Sequence, residues 1–441
     1  MRKTTGIWRF VLSVMACALL LPLSVLGQGS EGPTWIAAWG TSQQTLGGTV
    51  LTNATVRMIA RVTIPGGGVR IRLDNTFGTT AVTIADAYIG QRIQNADLAT
   101  GSNRQLLFGG SQSVVIPPGG SVTSDPVQLE VFAEQDLAVS LYLPGNSVQP
   151  SQHSGAVVTS YYTANGAGDT AANELRAPFV NTTTSMWWLK GIDVLTSASS
   201  GAVVAFGDSI TDGTCTTLDA HDRWEDWVSV RLDSAFVPAV VRDRLGNSGE
   251  PASGGQIGQG REHNRSLKAI VNEGIGGNTV TGANLVPPPN STPGIERLDR
   301  DVLSHVGVTH VILFMGTNDI RREASAQQVI DGLLDIITRV HAAGLKIIGG
   351  TIIPRHNRPP VPGNTGWNDA KTAIRNTVNE WIRTQAPFDA VIDFDRVIAD
   401  PANPNLMYPP FNCGDGIHPS PIGYYLMGQA VDLRILDDLG R

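Results

Sequence analysis

Four short stretches of this 441-residue chain hold side chains able to act together on a carbonyl carbon. Ser209 follows the apolar run 202–206 in Gly207-Asp208-Ser209-Ile210. Asp415 and His418, two residues apart in Asp415-Gly416-Ile417-His418, can share one turn. A serine hydroxyl is a poor nucleophile until a neighbouring base takes its proton. An imidazole such as His418, with a reference pKa of about 6.5, can take and return that proton near neutrality. Asp415 can then fix the imidazole tautomer and stabilise the imidazolium. The oxyanion that forms needs fixed donors. The N–H groups of Ser209 and Gly277 and the amide of Asn318, in Gly316-Thr317-Asn318-Asp319, are of that kind. Asp208, Ile210, Asn278 and Thr317 flank these groups and His356 follows the apolar run 346–352, and all five are expected to face substrate. The set calls for no metal and no organic cofactor.

The elements that must position these residues are legible in the hydrophobic rhythm. Five apolar runs, at 202–206, 267–271, 309–315, 346–352 and 390–393, alternate with helical patterns near 224–234, 294–304, 325–343, 367–385 and 423–436. That alternation predicts a parallel sheet covered on both faces, an α/β fold. In such folds ligands bind outside the carboxyl ends of the strands, where Ser209, Gly277 and Asn318 all fall. Residues 35–163 have another period. Val69 to Leu73 and Val127 to Val131 alternate apolar with polar residues, and Gly66-Gly67-Gly68 and Pro117-Pro118-Gly119-Gly120 read as turns. An all-β sandwich of jelly-roll type is expected there. Residues 164–200 read as a connecting region, with Met186-Trp187-Trp188-Leu189 packed at the junction or, alternatively, the Trp pair exposed for stacking on sugar.

In order and in placement, Gly207-Asp208-Ser209, Gly277, Gly316-Thr317-Asn318-Asp319 and Asp415-x-x-His418 resemble the four blocks of the SGNH, or GDSL, hydrolases. The resemblance covers roughly residues 201–437, within an expected hydrolase domain of residues 201–441. It implies a three-layer α/β/α fold with a flavodoxin-like five-stranded parallel sheet. It also implies a Ser209–His418–Asp415 triad with Ser209, Gly277 and Asn318 as oxyanion donors. Residues 35–163 resemble, more weakly, the β-domain that precedes this fold in some secreted members. Ile210 stands where many members have Leu. Gly274 and Gly276 replace small polar residues, which leaves Gly276 as an alternative to Gly277. The Gly-x-Ser-x-Gly elbow of ordinary α/β-hydrolases is absent at Ser209.

The rest of the sequence bounds the setting. Arg2, Lys3 and Arg9 before the uncharged run 11–26, with Val25 and Gly27 ahead of Gln28, read as an export signal over residues 1–27. An uncleaved anchor is the competing reading, but the run is short for a bilayer and holds Pro22. No stable membrane anchor is expected. Beyond that segment only Cys215 and Cys413 remain, placed just after Ser209 and just before Asp415. One disulfide tying the two catalytic segments is expected, against two buried thiols. The net charge of −7 supplies no basic excess for nucleic acid. Asp212, Asp219 and Asp222 read as turn and cap residues rather than a metal cluster, and the other histidines as structural or surface groups. Segments 247–264, 286–292 and 358–366 are expected to border an acyl pocket. The expected activity is hydrolysis of short-chain acyl or acetyl esters, on small molecules or polysaccharide. A lipase or lysophospholipase is one alternative, and a non-catalytic carbohydrate-binding protein another.

Overall fold

A computed structural model describes residues 32–236 and 267–437. The expected leader and segment 247–264 lie outside the described residues. The five apolar runs form strands β1 (Ser199–Gly207), β2 (Leu267–Gly274), β3 (Val308–Phe314), β4 (Lys346–Gly350) and β5 (Ala390–Ile392). All four pairings are parallel, in the order β2-β1-β3-β4-β5. The order reverses at β1, so the crevice at its carboxyl end is the topological switch point of the sheet. Ser209 sits there.

The helices are α1 (Ser209–Asp212), α2 (Trp224–Phe236), α3 (Gly294–Leu298), α4 (Thr317–Arg321), α5 (Ala326–Ala342), α6 (Asp369–Thr384), α7 (Phe394–Ile398) and α8 (Pro421–Ala430). Helices α2 and α7 pack on α8, while α5 packs on α3, α6 and β4. The result is the three-layer arrangement expected. Ser325 and Gln328 close a capping box at the start of α5, and Val329, Leu333, Ile336, Ile337 and Val340 form its buried stripe. A serine cap of this kind is worth about 1 kcal/mol, less than burying two of those leucine-sized side chains. The last helical pattern does not run through to 436. Val431 turns extended after α8, and a short 3₁₀ turn, Leu433–Leu436, follows, with Asp432 accepting Arg434 N–H at 3.0 Å.

The N-terminal half is mostly β-sheet. Strand 54–62 pairs antiparallel with 135–143, which pairs with 86–94. Strand 66–74 pairs with 127–131 and with 189–196. Segment 164–200 is therefore more than a connection. Residues 189–196 form the strand between 34–40 and 66–74, and 181–183 and 186–187 also pair. Its alternation was masked because Lys190 and Asp193 are buried alongside Ile192 and Val194. The three glycines 66–68 open a strand instead of forming a turn. A Cβ on Gly66 would lie 2.3 Å from a Val194 methyl, so glycine permits the close approach of that extra strand. Trp187 and Trp188 are both buried, Trp187 against Tyr162, so neither is free to stack on sugar.

From Pro33 onward the chain is one unit, and the larger of two apolar clusters among the described residues runs through both halves, the smaller lying around Ile59 and Phe179. Polar groups cross the junction. Ala37 N–H donates to Val306 C=O at 3.0 Å, and Ile270 N–H to Thr63 Oγ1 at 3.0 Å. Ser42 Oγ donates to Glu273 Oε2 at 2.5 Å, while His305 Nε2 lies 2.6 Å from Glu273 Oε1. Lys190 lies between Asp74 at 3.3 Å and Asp301 at 3.4 Å.

Candidate active site

Asp208 is the cap of α1: its Oδ1 accepts Ile210 N–H at 3.0 Å, which holds Ser209 at the first helical position. Ser209 Oγ lies 2.8 Å from His418 Nε2, and His418 Nδ1 lies 2.5 Å from Asp415 Oδ2. With Nδ1–H given to the carboxylate, Nε2 keeps the lone pair that can receive the serine proton. Asp415 Oδ1 also accepts the N–H groups of Ile417 and His418, both at 2.8 Å. Burial opposes the Asp415 charge, but His418 and these donors outweigh it and hold the carboxyl well below the usual carboxylate range. The loop bearing this pair is shaped by Asn412, whose Oδ1 accepts Gly414 N–H at 2.7 Å and Gly416 N–H at 3.1 Å.

The groups expected as oxyanion donors lie at the next two strand ends. After β2, Asn278 N–H closes a turn onto Ile275 C=O at 3.1 Å, with Gly277 inside it at φ +73°. That conformation favours glycine, and Gly276 does not share it. Asn318, at the start of α4, donates one amide hydrogen to Asn278 C=O at 3.0 Å. The NH₂ group has a second hydrogen, so the orientation is fixed while a donor is left over. Asp319 points the other way, its two oxygens accepting Val280 N–H at 2.9 Å and Thr281 N–H at 3.0 Å. Burial pushes its carboxyl up to about 7 against the pull of those donors.

The five residues expected to face substrate have other contacts. Asp208 is buried as a cap, and desolvation pushes its carboxyl up to about 6, opposed by Ile210 N–H, His418 and Arg355. Ile210 is buried. Asn278 is fully buried; its amide donates to Ser291 Oγ and Thr292 C=O and its oxygen accepts from Arg297. Thr317 Oγ1 accepts from Arg355 at 3.3 Å. His356 donates from Nε2 to Met407 C=O at 3.0 Å, and its N–H donates to Gly416 C=O at 2.9 Å, so it braces the Asp415 loop. The three acids 212, 219 and 222 do not converge. Asp212 lies 2.9 Å from His153, Asp219 accepts from Thr159, and Asp222 accepts from Thr217. Cys215, Cys413 and Asp415 are near enough to share an ion, but the two sulfurs are within bonding distance of each other.

Arg297, which no sequence pattern marked, joins these parts. It is fully buried and donates to Gly207 C=O at 2.9 Å, Glu273 C=O at 2.9 Å, Asn278 Oδ1 at 3.0 Å and Ser42 Oγ at 2.8 Å. It thus links the ends of β1 and β2 to each other and to the N-terminal half. Two expected border segments also lie here. Asn290 sits against Gly277 and Arg322, and Thr365 bonds the Arg321 carbonyl.

The family profile described as GDSL-like lipase/acylhydrolase matches residues 203–431, more than half of the chain. The chain belongs to this family. It is an ester-bond hydrolase. No curated protein matches it. Among solved structures, it is similar to a lipolytic G-D-S-L family member from Veillonella parvula, at 19% identity and TM-score 0.31, covering 52% of this chain and 94% of that one. A carbohydrate acetylesterase from Sinorhizobium meliloti matches at 18% and 0.32, over 52% and 95%. An aryl esterase from M. smegmatis matches at 16% and 0.36, over 52% and 95%. The four sequence blocks of the GDSL pattern are thus brought to one sheet edge, while the flanking residues serve to hold them.

Proposed function

We propose that this GDSL hydrolase cleaves carboxylic esters through an acyl-enzyme on Ser209. The reading rests on one observation, the unbroken Ser209–His418–Asp415 relay. His418 takes the Ser209 proton as Oγ attacks the ester carbonyl. The carbonyl oxygen gains charge, which the N–H groups of Ser209 and Gly277 and the spare Asn318 hydrogen stabilise. Collapse expels the alcohol, which receives the proton from His418. Water then repeats the sequence on the acyl group and releases the acid. Preorganised donors act where charge develops, so they favour the transition state over bound substrate.

The substrate is a short-chain acyl or acetyl ester, on a small molecule or a carbohydrate. An export signal over residues 1–27 and a Cys215–Cys413 disulfide support the reading of a secreted protein. Ser209→Ala is expected to lower kcat on 4-nitrophenyl acetate by about 10⁶, as for removal of other serine nucleophiles. A serine-directed organophosphorus reagent should add its mass at Ser209, with chelator having no effect. Equal slow hydrolysis by both proteins would remove the catalytic reading.

A further inference from the structure

Among the described residues the buried arginines are well supplied with acceptors, with two exceptions beside the serine. Arg297 has four acceptors besides Asp301, and Arg57 reaches Ser140 Oγ and the carbonyls of Ala96 and Asn173. Arg375 lies 3.3 Å from Asp395. Arg321 is only 8% exposed, yet among the described residues its guanidinium has no hydrogen bond and no ion pair. Arg355, 5% exposed, has one hydrogen bond, to Thr317 Oγ1, and stacks over Trp367 at 5.0 Å. Neither meets a carboxylate at ion-pair distance. None of their nitrogens is among the enclosed polar atoms left without a partner, so the donors they leave unbonded are open to solvent and to a substrate group.

Their place is not random. Arg321 lies three residues after Asn318 and four after Thr317 on α4, so all three share one helix face. Arg355 follows β4 and touches that same Thr317. Burial and the neighbouring Arg321 pull the Arg355 guanidinium down to about 10, while Asp208 and Asp415 pull it up. Both arginines therefore border the oxyanion donor Asn318, and Arg355 stands within the field of the triad. The acids there are already engaged: Asp208 by Ile210 N–H and Asp415 by His418. A guanidinium presents a fork of donors that fits an oxyanion in two-point fashion.

We propose that the ester attacked by Ser209 carries an oxyanion, such as a carboxylate, close to its scissile bond, and that Arg321 and Arg355 hold it. The inference rests on the ester-hydrolase reading above and names the class of ester. These are specificity residues: they act on the substrate's charge and not on the bond that breaks.

The test compares kcat/KM of the full chain on matched pairs. The hemisuccinate and butyrate of 4-nitrophenol place the charge on the acyl side. Acetylated glucuronic acid and acetylated glucose place it on the alcohol side. Wild type should prefer the charged member of one pair by about tenfold or more, the scale of a hydrogen bond to a charged group. Arg321→Gln and Arg355→Gln should each reduce that ratio several-fold, and Arg321→Lys should keep part of it. Because the readout is a ratio within one protein, partial loss of folded enzyme cancels. Equal rates within both pairs, or a preference that survives both Gln variants, would overturn the proposal while leaving the hydrolase reading standing. Failure of wild type on every ester, neutral ones included, would overturn both.

Discussion

Asn318 divides its amide between structure and chemistry. One hydrogen is committed to Asn278 C=O, and the other is free to meet an oxyanion. Asn318→Ala should therefore lower kcat by about 10²–10³ with little change in KM. The freed Asn278 carbonyl adds a stability loss of about 1–3 kcal/mol, visible in a urea melt. Its neighbour Asp319 has no such spare capacity. Both oxygens accept backbone N–H groups, and an Asn side chain offers only one acceptor. Asp319→Asn should cost about 1–3 kcal/mol by pointing a donor at a donor; an unchanged melting midpoint would contradict that account. At this scale the sequence was informative wherever chemistry demands a residue type. Ser209, His418 and Asp415 stand out in sequence because nucleophile, base and orienting acid have few chemical substitutes, and they are hydrogen-bonded in that order; the donor roles of Gly277 and Asn318 belong to the proposed mechanism. Arg297, Arg321 and Arg355 do not stand out, since an arginine's role is set by what lies within its reach across the fold. Asp208, Ile210, Asn278 and Thr317 were expected at the substrate because they adjoin the reactive groups, and His356 because it follows the apolar run 346–352. The contacts they make are with the protein itself: Asp208 caps α1, Ile210 and Asn278 are buried, Thr317 accepts from Arg355, and His356 bonds the Asp415 loop.

Elements were legible in proportion to how local their cause is. The parallel strands are continuous apolar runs because both faces are covered, and each was visible within a few residues. The strand at 189–196 was hidden because its partners, 34–40 and 66–74, lie more than a hundred residues upstream and bury its polar side chains as well. The segment after α1 and the loop before α8 raise a question of the same kind, since nothing local holds them together. Cys215 and Cys413 bring them within a Cα separation of 6.2 Å across 198 residues of chain. A bond closing so long a loop restricts the unfolded chain strongly. Replacing both cysteines with serine should lower stability by about 2–4 kcal/mol. It should also loosen the Asp415–His418 loop relative to Ser209, so kcat should fall more than KM rises. A nonreducing tryptic digest should join the peptides holding the two cysteines, and free thiols at both would end this account.

At the scale of the whole molecule, the N-terminal half touches the helical turn that carries Ser209. His153 belongs to the β half and is buried, with Nδ1 at 2.9 Å from Ser42 C=O. Its Nε2 lies 2.9 Å from Asp212, the last residue of the single helical turn that begins with Ser209. Burial alone would lower the His153 pKa, but the charge of Asp212 and the hydrogen bonds to Asp212 and Ser42 outweigh it and raise it. The sign of the pH effect follows. A histidine whose pKa is raised on folding binds its proton more tightly in the native state. Its contribution is complete below the unfolded value, about 6.5, and is lost as pH rises through the higher folded value. His153→Ala leaves Asp212 buried without its partner, a change that typically costs about 3–5 kcal/mol. The destabilisation should thus be larger at pH 6 than at pH 9 when both proteins are unfolded in urea. Because Asp212 closes the turn that presents Ser209, the variant should also lose activity on 4-nitrophenyl acetate while still folded. An equal loss of stability at both pH values would mean that the pair is not charged. Unchanged activity in the folded variant would mean that the β half does not reach the serine through this contact.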